Sequence, residues 1–200
     1  MKLANLVTAC LLKELNERTQ SIILPNFHMV FEESNTKWEC DLFQLTDTDW
    51  TIEYEVKTTK ADLRNDFNKT WHNQIKTTPK KHDFIINGKR TNRFYFVIPE
   101  SFIEDKELIE SIPNKYGIIA YSAINPNNIS EGFAFRYYRK AGVLHKNKIG
   151  TVRNVKQREF VEKTAIIKYN FLYIKYTRRE TELLNLRGKN ILLSNKKRVC

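Results

Sequence analysis

Three residues in the first third of the chain carry side chains that could together hydrolyse a phosphodiester. Asp41 is followed by 13 other residues and then by Glu55, Val56 and Lys57. Two carboxylates can hold Mg²⁺ or Mn²⁺, which neutralises developing charge and lowers the pKa of a bound water. A nearby lysine can orient that water or stabilise the transition state. These residues therefore predict metal-dependent hydrolysis, with Asp41 and Glu55 as metal ligands and Lys57 as a catalytic group.

Two predicted strands position these three side chains. Residues 39–46 and 50–58 have strand-like composition and are joined by a turn over residues 47–49. In the second strand, apolar residues at every other position alternate with polar ones, so Glu55 and Lys57 share a face. Antiparallel neighbours lie about 4.8 Å apart, so an acid on each strand can point at one cation.

The predicted elements follow the order of a mixed α/β protein. Apolar patterns indicate helices over residues 2–18, 60–75, 101–111 and 153–179, and strands over 21–33, 39–46, 50–58, 92–99, 116–122 and 133–138. A basic loop is predicted over residues 76–82. We expect a main domain over residues 1–150, a helical appendage over 151–187 that packs on it, and a basic tail over 188–200.

Two further acids could contribute to the same site. Glu14 falls within the apolar stripe of the first helix, where a carboxylate is costly without a cation or partner, so we predict it as an additional catalytic acid. A flank glutamate that reaches solvent is an equally good interpretation, and Glu17 is the next candidate. Glu39 shares a strand face with Asp41 and could support the metal ligands, although a surface acid at a strand end accounts for it slightly better.

Basic residues follow the strand that carries Glu55. We predict contacts with the DNA backbone by six of them as a set: Lys60, Arg64, Lys69, Lys80, Lys81 and His82. Taken singly, each is explained better by a solvated or structural side chain. Asp62 and Asp66 are interpreted as partners of nearby Lys or Arg on one helix face, not as metal ligands.

The charge distribution favours a polyanionic partner. The net charge is +11, and residues 1–55 carry four Lys and Arg against ten Asp and Glu, whereas residues 56–200 carry 30 against 13. Three cysteines without paired spacing predict neither zinc nor a disulfide framework. No apolar run approaches the roughly 18–20 residues of a membrane span. We therefore expect a cytoplasmic protein that is not secreted and does not enter a membrane.

The three catalytic candidates resemble the PD-(D/E)XK signature of restriction-endonuclease-like nucleases. Residues 39–42 (E-x-D-L), 53–57 (E-x-E-x-K) and 62–67 (D-x-x-x-D-F), together with Lys81 and His82, are similar to motifs of small phage and prophage members of that superfamily. The similarity covers roughly residues 1–145, and Cys40 stands where the signature usually has proline. The resemblance implies an αβββαβ core and a DNA endonuclease that uses Mg²⁺ or Mn²⁺ in phage DNA processing, repair or recombination. Such nucleases often act as dimers, so a homodimer is a further expectation.

Two other classes of protein stay open at this point. A catalytically inactive DNA-binding module on the same scaffold would bind DNA in a salt-dependent way without nicking it. A structural or interaction protein of a virion would use the basic surface to contact protein or RNA. Metal-dependent cleavage distinguishes the nuclease from both, and competition by DNA distinguishes the two alternatives from each other.

Overall fold

The computed structural model describes residues 2–19, 21–31, 36–69, 80–87, 91–146 and 158–169. The chain divides into two units, Met1–Arg158 and Glu159–Cys200. Residues 158–169 are helical, inside the helix predicted over 153–179. The rest of that prediction, most of the basic loop over 76–82 and the tail over 188–200 lie outside the described residues.

The first unit contains four helices and six strands among its described residues. They are α1 (Leu3–Arg18), β1 (Ile22–Phe31), β2 (Thr36–Leu45), β3 (Thr51–Val56), α2 (Lys60–Asp66), α3 (Lys81–Ile86), β4 (Arg93–Pro99), α4 (Lys106–Ser111), β5 (Gly117–Ala123) and β6 (Phe133–Arg139), with 3-10 turns at Glu100–Phe102 and Ile129–Glu131. No helix in the described part of the chain is both long enough and apolar enough to cross a membrane.

The six strands form one mixed sheet in the order β1-β2-β3-β4-β5-β6. β1, β2 and β3 are antiparallel neighbours, β3, β4 and β5 are parallel, and β6 returns antiparallel to β5. Parallel neighbours require a crossover, and α2 with α3 supplies the first one while α4 supplies the second. The predicted α/β class is confirmed, and its sheet is mixed.

Two helix predictions need correction. Helix α2 ends at Asp66, well before residue 75, and residues 67–69 are a turn and an irregular segment. Lys81 and His82 begin helix α3, although they were expected to end a loop. The helix predicted over 101–111 is divided because the Asp105 carboxylate accepts the N–H of Leu108 and starts α4 anew.

The sheet is covered by apolar side chains on both faces. On one face, Val7, Leu11 and Leu15 of α1 pack with Tyr54 and Val56 of β3. On the other face, a second cluster joins side chains from the crossover helices to β4, among them Leu63, Ile85, Phe94, Phe96 and Leu108. Strand β4 supplies buried side chains to both clusters, as its continuous apolar run predicts. Because β3 alternates, Glu55 and Lys57 point to the face of the crossover helices.

Candidate active site

Strand register brings the three predicted catalytic residues together. Leu42 of β2 pairs with Tyr54 of β3, which places Asp41 opposite Glu55 on the same face of the sheet. The Asp41 carboxylate accepts the main-chain N–H of Val56 at 2.7 Å, so it is fixed against the neighbouring strand. Lys57, at the end of β3, places its ammonium 2.8 Å from Oε1 of Glu55.

A third carboxylate, that of Asp66, completes the cluster. Asp66 is fully buried, and its Oδ1 lies 2.8 Å from the Lys57 ammonium. Lys81 also bridges Glu55 and Asp66, through their other oxygens. Its Nζ lies 3.1 Å from Oε2 of Glu55 and 3.0 Å from Oδ2 of Asp66. Lys69 adds a half-exposed ammonium 2.6 Å from Oδ1 of Asp66. Three carboxylates and three ammonium groups therefore meet in one place.

His82 and Tyr116 extend the hydrogen-bond network of Asp66. His82 Nε2 lies 2.8 Å from Oδ2 of Asp66, and Nδ1 lies 3.1 Å from the Tyr116 hydroxyl. Because a carboxylate can only accept, the partners assign the imidazole proton to Nε2 and leave Nδ1 as an acceptor. The Tyr116 hydroxyl can donate to Nδ1 or to the main-chain carbonyl of His82, which lies 3.3 Å away. Burial lowers the pKa of His82 although Asp66 opposes this, so the ring is neutral at neutral pH.

Local sequence explains how Asp66 reaches the end of β3. Thr59 follows β3 closely and caps α2, because its hydroxyl accepts the N–H of Asp62 at 3.1 Å. Leu63 then enters the core beneath the helix. Asp66 lies one turn further on and on nearly the same side of α2, so its carboxylate also faces the sheet.

The acids of the site differ in their electrostatics. Burial and the nearby Glu55 raise the pKa of Asp41 from 3.8 to about 6. Burial opposes ionisation of Glu55 as well, but Lys81 and Lys57 outweigh it and lower its pKa. For Asp66, burial is outweighed by the hydrogen bond from His82 and by the charges of Lys81 and Lys57, which lower its pKa. Asp41 is thus the acid whose negative charge is least compensated.

The pKa values of the two buried lysines are raised, in contrast to those of Glu55 and Asp66. Burial disfavours the charged forms of Lys57 and Lys81, but the carboxylates of Glu55 and Asp66 outweigh it and raise the pKa of both lysines. Both lysines are therefore cationic at neutral pH. They can donate hydrogen bonds or hold an anion, but they cannot serve as bases.

Glu14 does not join the cluster, which corrects the prediction that it is a catalytic acid. The buried residues of α1 are Val7, Leu11 and Leu15, so Glu14 lies at the edge of the buried stripe and pairs with Arg18 at 2.9 Å. The helix packs against the face of β3 that carries Tyr54, on the opposite side from Glu55. The Glu14 side chain is 22% exposed, so it is partly buried beside Arg18 and does not extend fully into solvent.

The predicted DNA-contacting residues separate into two groups. Lys81 and His82 are buried and bonded to Asp66, which corrects their assignment to a basic surface loop. The other four are at least partly exposed: Lys60, Arg64, Lys69 and Lys80. Lys60 and Arg64 lie 2.8 and 3.8 Å from the Asp105 carboxylate. Glu39, which was considered as support for the metal ligands, is exposed.

Asp41 and Glu55 have the donor chemistry that Mg²⁺ and Mn²⁺ prefer. Both offer hard carboxylate oxygens, and the pKa of Asp41 is raised first by burial and then by the charge of Glu55. A positioned group of three or more His, Cys, Asp or Glu is not found among the described residues. A cation held by Asp41 and Glu55 would need its further ligands from water or substrate, which Mg²⁺ commonly uses.

Comparisons with known proteins define the fold and leave the activity open. No family model matches the chain, and no curated protein matches it. Among solved structures, a protein of unknown function from Silicibacter pomeroyi is similar, with a TM-score of 0.57 and 12% identity. The match covers 86% of this chain and 92% of the other. At this identity the similarity shows a shared fold across nearly the whole of both chains.

Proposed function

We propose that this chain is a divalent-metal-dependent nuclease that hydrolyses DNA phosphodiesters on a restriction-endonuclease-like αβββαβ core. The observation that carries the proposal is the convergence of Asp41, Glu55 and Lys57 on one face at the end of two adjacent strands. The order of the first elements, helix, three strands, helix and strand, and the mixed sheet support the finer fold assignment.

Each of the three residues has a chemical role in this proposal. Asp41 and Glu55 would hold Mg²⁺ or Mn²⁺. Such an ion, when bound, supplies an activated water and neutralises charge on the phosphate. The Lys57 ammonium, which is cationic at neutral pH, donates hydrogen bonds to the attacking water or to a phosphate oxygen. Asp66 keeps that ammonium in position from the opposite side.

Charge on the described surface supports DNA as the substrate. Lys60, Arg64, Lys69 and Lys80 reach solvent beside the cluster or on the helices that carry its residues. Four cations near a carboxylate pair can neutralise phosphates and position a strand over the site. The net charge of +11 adds attraction at longer range. We propose DNA processing, repair or recombination as the setting.

Cleavage of supercoiled plasmid DNA with Mg²⁺ or Mn²⁺ tests the proposal. We expect nicking that EDTA abolishes, no activity above background in Asp41→Ala, and a rate reduced about 10²–10³-fold in Lys57→Ala, as for loss of one transition-state donor. Glu55→Gln should also abolish nicking, and Glu110→Gln, which removes an exposed acid of α4, is its matched control and should leave the rate unchanged. Unchanged cleavage in Asp41→Ala or Lys57→Ala would remove the site from the proposal.

One observation favours a second candidate, the catalytically inactive DNA-binding module. Both oxygens of Glu55 already contact lysine ammonium groups, so this acid is compensated without a metal. Such a protein would bind DNA with strong salt dependence, would not nick it, and would bind equally well after Glu55→Gln. Metal-dependent nicking excludes this candidate.

A further inference from the structure

Glu55, Lys57, Asp66 and Lys81 form a closed ring of alternating charge. Lys57 connects Oε1 of Glu55 to Oδ1 of Asp66, with both distances at 2.8 Å. Lys81 connects Oε2 of Glu55 to Oδ2 of Asp66, at 3.1 and 3.0 Å. Every oxygen of both carboxylates therefore has an ammonium partner inside the ring.

This ring conflicts with a divalent cation on Glu55. A cation bound by Asp41 and Glu55 would share the Glu55 carboxylate with two ammonium groups. Like charges that contact one carboxylate repel each other strongly in a partly buried site. The oxygens of Glu55 would also exchange a hydrogen-bonded ammonium for the metal. Repulsion between the cation and the ammonium groups therefore favours loss of the contact between one of the two lysines and Glu55.

The two lysines differ in how they are held. Lys57 extends from the end of β3, where its main-chain N–H donates to Val97 O at 2.9 Å, and 3% of its side chain is exposed. Lys81 extends from the short helix α3, its contact with Glu55 is longer, and 10% of its side chain is exposed. Lys57 is also the residue that the proposed reaction needs beside Glu55.

We propose that Lys81 is the resident counter-ion of Glu55 and that a divalent cation binds by displacing its ammonium onto Asp66. This inference rests on the proposed metal site. Asp66 can retain Lys81 because its Oδ2 already contacts that ammonium at 3.0 Å, and Lys69 and His82 hold the same carboxylate in place. Lys81 then sets the metal affinity of the site, since each cation must compete with it.

Mn²⁺ titration by calorimetry, in the absence of DNA, tests this role. Lys81→Gln removes the competing charge while its amide can still donate to Asp66, so we expect Mn²⁺ to bind about tenfold more tightly, or better, than to the wild type. Lys106→Gln makes the same charge change at an exposed position of α4 and is the matched control, with affinity expected within about twofold of wild type. A larger Mn²⁺-induced rise in Tm for Lys81→Gln than for wild type would report the same change.

The outcomes separate this inference from the metal site itself. Equal Mn²⁺ affinity in wild type and Lys81→Gln, or weaker affinity in the variant, overturns the role of Lys81 and leaves the metal site standing. Absence of Mn²⁺ binding in both proteins overturns the metal site as well.

The wild-type protein provides a measurement that needs no substitution. Crystals soaked with Mn²⁺ should show the metal on Glu55 and the Lys81 Nζ beyond ion-pair distance of that carboxylate, about 4 Å. Mn²⁺ on Glu55 with Lys81 still in contact would contradict the displacement.

Discussion

Strand β3 contributes apolar side chains to one face of the sheet and charged side chains to the other. Tyr54 and Val56 of β3 pack against α1 among apolar neighbours, and the buried Tyr54 hydroxyl has its partner in Gln44. Glu55 and Lys57 point to the other face, where they meet Asp66 beneath the crossover helices. The face of the sheet that packs on α1 is stabilised by burial of apolar area. The region around Glu55 on the opposite face instead contains charges that are buried together.

That difference has a consequence for stability and function. Apolar packing against α1 stabilises the fold without any chemical group of its own. Buried charges are costly to desolvate and stable only while each keeps its partners, so a protein gains little stability from them. Their convergence in one place is what the proposed active site requires, and no such requirement applies to the face that packs on α1. Substitutions on the two faces should therefore affect stability in different ways.

Loss of Asp66 should have the largest effect. Asp66→Asn removes one of the two carboxylates that the buried ammonium groups of Lys57 and Lys81 share, and breaking a buried ion pair costs about 3–5 kcal/mol. Urea unfolding at pH 7 measures the difference from wild type. Since the folded-state pKa of Asp66 is lowered, the difference should persist above the unfolded pKa and shrink as the pH falls below about 4.

Asp62→Asn is the control on the same helix. Asp62 is 48% exposed and lies 3.9 Å from the Lys57 ammonium, so its loss should change the unfolding free energy by no more than about 0.5 kcal/mol. If Asp66→Asn is as mild as this control, the charged cluster does not depend on Asp66.

The apolar face should respond almost as strongly, but without dependence on pH. Leu11 is 2% exposed between α1 and the sheet, and Leu11→Ala should cost about 3 kcal/mol through lost burial and a cavity. Urea unfolding at pH 3.5 and at pH 7 should give the same difference from wild type, because no titrating group is removed. A difference that varies with pH as that of Asp66→Asn does would mean that the two faces are not independent.

The sequence predicts the frame of both faces well because strand periodicity is a local signal. Alternation in β3 separates Glu55 and Lys57 from Tyr54, and the continuous apolar run of β4 indicates burial on both sides. The hairpin of β2 and β3 follows from a short turn between two such patterns. These features depend on neighbours a few residues apart, so they can be predicted without knowing the rest of the fold.

The composition of the charged cluster could not be predicted in the same way. Asp66, Lys81 and His82 belong to α2 and α3, and only the packing of those helices against the sheet turns them inward. On the sequence alone, Asp66 resembles a surface partner of Lys69, which it contacts as expected but from a buried position. Two signals were available. The D-x-x-x-D-F motif of residues 62–67 contains Asp66, and the pattern of Leu63 and Phe67 indicates that this side of α2 approaches the core.

Substitution of Asp41 should change the free energy of unfolding least, and it should raise it where the other substitutions lower it. Burial and Glu55 raise its pKa from 3.8 to about 6, so between about pH 4 and 6 the folded state holds a proton that the unfolded state has released. The unfolding free energy therefore falls as the pH rises through this window, and the ionised carboxylate costs about 2–3 kcal/mol by pH 7. Asp41→Asn keeps an acceptor for the Val56 N–H and removes this cost.

We therefore expect Asp41→Asn to stabilise the metal-free protein by about 2 kcal/mol at pH 7.5 and to have little effect at pH 4, measured by urea unfolding in EDTA. Asp47→Asn, in the exposed turn before β3, should change stability by less than about 0.5 kcal/mol at both pH values. Saturating Mn²⁺ should stabilise only the wild type and so cancel the advantage of the variant, because the metal binds the folded wild-type site. A variant that is less stable than wild type at pH 7.5 in EDTA would show that the Asp41 charge is already compensated and that this site has no need of a cation.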